Sequence, residues 1–224
     1  MDIFSVARVS ELFPQLVARV IVIICCFPLH EYAHAWMASR LGDPTGEREG
    51  RLTIKPSAHL DFIGTIMLFV FGVGYAKPVS VNSNNFRHPK KDLAIVSLAG
   101  PMINLIMAVS FMLIGHLIDW GTTGFTEHED IIRFVILTLN YVSYNNFGLT
   151  VLNLIPIPPL DGYRVLMGIV PNRINSMMAR IERFSVYTMI GLLIVCNLLK
   201  PSPVNIVAHN MYVSVDCVYD SLIQ

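Results

Sequence analysis

Apolar runs at residues 12–41, 93–118, 131–155 and 184–199 leave this chain of 224 residues few ways to fold. A helix needs about 20 apolar residues to cross the hydrocarbon core of a bilayer. Lipid offers backbone groups no partners, so a segment in that core must satisfy its own, as a helix does. The expected fold is therefore an all-α polytopic membrane protein built as a transmembrane helix bundle. Composition agrees. The chain is 54% hydrophobic and 14% charged, where soluble domains are about 45–50% apolar and about 25% charged. Its length suits a single integral-membrane domain over residues 1–224, with little room for a soluble module. A formal net charge of zero and the lack of a basic arm argue against a nucleic-acid partner.

Asp2 and Glu11 replace the basic leader of a signal sequence, so the first apolar helix is expected to be retained. Cys25, Cys26, Cys196 and Cys217 match no zinc-ribbon or redox spacing and read as small apolar fillers.

A shorter apolar stretch, residues 62–76, contains Gly64, Gly72 and Gly74 and is too short to span, which suits a re-entrant element. Charge placement supports this reading. Arg40, Arg48, Arg51 and Lys55 follow the first run, and Lys77, Arg87, Lys90 and Lys91 precede the next. A stretch that dips in and returns puts both clusters on the cytoplasmic face, as the positive-inside rule prefers. Residues 119–130 then lie outside, and Arg164, Arg173, Arg180 and Arg183 inside. Between the first run and the short stretch, turn signals at Asp43-Pro44, Gly46 and Gly50 precede residues 51–55, which alternate polar and apolar. They predict a small β-hairpin at the membrane surface.

His30, Glu31, Tyr32, Ala33 and His34 form an HExxH pattern inside the first apolar run. Two imidazoles one helical turn apart can grip one metal ion, and the intervening Glu can take a proton from the metal's water. Catalytic zinc usually takes three protein ligands. Glu47, Glu49, His59, Asp61 and Asp161 are the candidates for the third, and topology favours Asp161. With a re-entrant stretch at 62–76, His34 and Asp161 both approach the membrane from its cytoplasmic half. A full span there would put Asp161 across a core about 30 Å thick, too far for zinc bonds of about 2 Å.

Asp161 ends the run NLIPIPPLD, followed by Gly162. Pro156, Pro158 and Pro159 block helix, so this stretch is expected to be extended, with Gly162 letting the backbone turn. The alternative is a proline-rich helix end with Asp161 capping the next segment.

HEYAH at 30–34, LAGPMIN at 98–104 and NLIPIPPLDG at 153–162 together resemble the site-2 protease family of intramembrane zinc metalloproteases, in its small bacterial-type form without appended PDZ or CBS domains. The likeness runs from about residue 27 to about residue 166. It implies a helical protease in the cell membrane, its zinc within the bilayer near the cytoplasmic side. It implies His30, His34 and Asp161 as zinc ligands, Glu31 as general base, and Asn153 as a substrate contact. Asn104 is a second candidate for holding the peptide, with a helix-packing hydrogen bond as its equal alternative. The implied substrates are transmembrane or membrane-anchored proteins cleaved in regulated intramembrane proteolysis. A helix hides its carbonyls in internal hydrogen bonds, so cleavage requires local unwinding. The 153–159 stretch or the strand near 52–55 could offer an edge for the unwound peptide. Two rival classes remain. A transporter should show paired inverted repeats, and none is found. A catalytically silent metal-binding membrane protein needs the ligands but not Glu31.

Overall fold

The computed structural model describes residues 6–62, 64, 66, 77–123, 128–171, 182–185, 187–188, 191 and 203–223. Helix α1 (Val6–Ile21) runs through a π-helical turn, Val22–Cys26, into α2 (Phe27–Arg40). The wide turn has a local cause. Pro28 has no N–H for the carbonyl four residues back and its ring crowds that carbonyl, and the helix loosens in the turn before it. Short helices α3 (Thr45–Arg48) and α4 (Pro56–His59) and a 3₁₀ turn (Ser83–Asn85) precede the long α5 (Pro89–Thr122), α6 (Glu129–Leu154), α7 (Asp161–Ile169) and α8 (Pro203–Ile223).

Helix α5 is central, packing on α2, α6 and α7, while α8 lies against α6. Ala18, Val22, Ile23, Cys26 and Phe27 meet Met107 and Val142 in one core. Ala108, Met112 and Phe147 enclose Ala208 in another. Helix α5 also exposes Met102, Ile106, Leu113, Ile114 and Leu117. A helix apolar on all sides belongs in a large core or a bilayer. Among the described residues, two helices are long and apolar enough to cross a membrane, Leu12–Arg40 and Pro89–Thr122. Between α5 and α6, Ser143 Oγ donates to the Ala108 carbonyl at 2.7 Å, satisfying a hydroxyl that water does not reach.

Two expectations need revision and two fall largely outside the described residues. Among the described residues there is no β-strand, and the hairpin expected at residues 51–55 is irregular chain. His59 Nε2 takes the Thr53 carbonyl at 2.6 Å, a backbone acceptor that a partner strand would have used, and buried Arg51 donates to the Ala58 carbonyl of α4. The 153–159 stretch is not an open edge. After α6 ends at Leu154 the chain closes into turns, Ile157 N–H donating to Ile155 and Leu160 N–H to Ile157. The re-entrant reading of 62–76 and the run at 184–199 lie mostly outside the described residues.

Candidate metal centre

Helix α2 presents His30 and His34 on one face, their rings 4.7 Å apart and edge-on. Helix α7 brings Asp161, its first residue, to meet them. Three close approaches seat α7. A Cβ on Gly162 would collide with the Leu154 carbonyl, and one on Gly168 with Ala94 and the Lys90 carbonyl of α5. Lys90 Nζ then donates to the Val170 carbonyl at 2.7 Å. Gly162 is thus required for packing against the end of α6, inside the first turn of α7, rather than for a bend. Asp161 caps nothing here: its carboxylate faces the imidazoles.

Three donor atoms form a nearly equilateral triangle. His30 Nε2 and His34 Nε2 lie 3.2 and 3.3 Å from Asp161 Oδ2 and 3.1 Å from each other. Donors about 2.0–2.1 Å from a tetrahedral zinc stand about 3.3 Å apart, so this set is one face of a zinc tetrahedron. Hydrogen bonding reinforces the case. His34 Nδ1 lies 2.8 Å from the Val96 carbonyl. A carbonyl cannot donate, so Nδ1 carries a proton, and this bond turns Nε2 into the triangle, where a metal ligand's lone pair belongs. Among the described residues, these three side chains are the group of His, Cys, Asp and Glu whose ligand atoms converge, all within 4.8 Å of one another.

The other candidates lie apart from this group. His59 is spent on Thr53, Asp61 accepts the Gly64 N–H at 2.9 Å, and Glu47 accepts from Ser39 Oγ. Glu49 is exposed. Asn104 is fully buried one turn beyond Gly100, with neither Oδ1 nor Nδ2 hydrogen-bonded. Asn153 is half-buried in the last turn of α6.

The structure adds three positions that motif reasoning passed over. Val96 supplies the carbonyl that orients His34. Gly100 forms the floor, since a Cβ there would strike Nε2 of both His30 and His34. Val79 N–H donates to Glu31 Oε2 at 3.1 Å. Gly100 alone had a signal, standing in LAGPMIN, where a glycine in an apolar helix beside a proline marks close approach.

Apolar helices carrying an HExxH pair and a distant carboxylate define a zinc metallopeptidase with its site among membrane-type helices. Comparison with known proteins agrees. The model of peptidase family M50 matches residues 18–196. "Putative zinc metalloprotease YwhC" of Bacillus subtilis (strain 168) is 38% identical over 188 residues, covering 82% of this chain and 81% of that protein. "Putative zinc metalloprotease Rip2" of Mycobacterium tuberculosis (strain ATCC 25618 / H37Rv) is 29% identical over 161 residues; the match takes in 70% of this chain but 58% of the longer relative. No solved structure matches the chain. The chain belongs to peptidase family M50, the site-2 proteases, and is an intramembrane zinc metalloprotease with Zn2+ as cofactor.

Proposed function

We propose that this protease hydrolyses peptide bonds within transmembrane or membrane-anchored proteins, as one integral-membrane domain over residues 1–224. In this reading it is a polytopic bundle in the cell membrane, with its site toward the cytoplasmic side and residues 62–76 re-entrant. The donor triangle of His30, His34 and Asp161 carries the reading, because these three side chains would hold the zinc. When bound, zinc supplies Lewis-acid chemistry, bringing the pKa of water toward about 7 and polarising a peptide carbonyl. Glu31 is the proton carrier: its carboxylate takes the proton of the attacking water and passes it to the leaving amine. No covalent acyl-enzyme is required. Asn104, buried with its amide unspent, and Asn153, in the last turn of α6, would hold the unwound peptide.

The test is Glu31→Gln, which keeps the side chain's shape and removes its basicity. Co-expressed with a membrane-protein substrate, the variant should retain stoichiometric zinc by elemental analysis and lose cleavage. Undiminished cleavage with zinc in place would refute the assignment.

A further inference from the structure

The base is held by an element remote from the HExxH helix. Residues 77–82 form an irregular segment between the 62–76 stretch and the 3₁₀ turn. Pro78 and the β-branched Val79 and Val81 keep it out of helix. Backbone donors fix it at both ends. Lys77 N–H donates to the His59 carbonyl at 2.7 Å, and Asn82 N–H to Asp43 Oδ2 at 2.7 Å, where Asn85 Nδ2 also donates to Asp43 Oδ1. Between these anchors the Val79 side chain is buried beside Gly46 and Ala35. A Cβ on Gly46 would stand 3.1 Å from Val79 Cγ1, so the absence of a side chain there lets Val79 seat fully. The seated residue points its N–H at Glu31 Oε2, 3.1 Å away in a buried contact.

We propose that the Val79 backbone amide is a positioning group for the general base, holding one oxygen of the Glu31 carboxylate so that the other, Oε1, receives and returns the proton. The inference rests on Glu31 being the base. A flexible two-oxygen carboxylate can rotate either oxygen, or neither, toward water. A charge-assisted bond to a fixed amide removes that freedom before substrate arrives. The donor belongs to the backbone, so side-chain identity at 79 matters only for seating.

The test removes the N–H alone, replacing Val79 by its α-hydroxy acid so that an ester stands where the amide was. We expect kcat about ten- to a hundredfold lower, KM within about twofold, and zinc content unchanged, with activity rescued by Val79→Ile, which keeps the donor. A second measurement leaves position 79 untouched and needs neither zinc nor substrate. In the metal-stripped protein, hydrogen exchange at the Val79 amide should be slow in the wild type and faster in Glu31→Ala. An ester variant with wild-type kcat, a loss carried by KM, a loss of zinc, or exchange indifferent to Glu31→Ala would each overturn the proposal. Wild-type cleavage by Glu31→Gln would instead remove the base assignment beneath it.

Discussion

His34 Nε2 lies 3.3 Å from Asp161 Oδ2, although the two belong to helices at opposite ends of the matched region. Asp161 should therefore matter to metal retention as much as either histidine. Outer-shell partners of a zinc site typically cost 10–100-fold in affinity when lost. Removal of a direct ligand by Asp161→Ala should exceed that, at about a hundredfold or more. Zinc retention against a graded chelator checks this, and an Asp161→Ala protein that holds zinc like the wild type would rule out the three-ligand centre.

Gly100→Ala should abolish cleavage and empty the site. In an ordinary helix, alanine is favoured over glycine by about 1 kcal/mol. Here the added methyl would occupy the space of two imidazole nitrogens. Helix content by circular dichroism should hold while zinc stoichiometry collapses. Full zinc in that variant would mean that α2 and α5 can move apart.

The parts of the fold and site that were legible in sequence are those set by local spacing or by the length of an apolar run. The His30–His34 pair follows from helical period alone, and α5 and α6 follow from their apolar runs. Asp161 was reachable through the expectation that a third ligand must approach the membrane from the same side as His34. Val96 and Val79 were not reachable, because each acts through a backbone group, which no residue type advertises. Residues 51–55 alternate as a strand should, yet Arg51 is a buried polar anchor rather than an outward face. Pattern reading cannot tell a polar side chain facing water from one spent on a neighbouring carbonyl.

Asp43→Asn should loosen residues 77–85 in a pH-dependent way. Burial raises the Asp43 carboxyl's pKa, but hydrogen bonds from Thr45, Asn85 and Asn82 outweigh it and hold the group below the ordinary carboxylate value. A pKa lowered on folding gives stability that is complete above the unfolded value, about 3.9, and is lost as pH falls through the folded value. The gap in melting temperature between wild type and Asp43→Asn should therefore be constant from neutral pH down to about 5. It should narrow in stronger acid. A gap that widens on acidification would contradict the assignment.

Asn104→Leu separates the two readings of that residue. If Asn104 served as a helix-packing bond, the structure would pair its amide, whereas both Oδ1 and Nδ2 are buried and unpartnered. A buried polar group left unsatisfied costs about 1–3 kcal/mol. Leucine, branched at the same carbon though larger, removes both unpaired polar atoms and should thus leave melting in detergent near the wild-type value. Cleavage should nonetheless fall about tenfold or more, since a peptide lying along α5 would lose its amide partner. A residue kept at a cost to stability needs a use beyond packing, and contact with substrate is the use its position beyond Gly100 offers. Lower stability with intact cleavage would instead make Asn104 a packing residue after all.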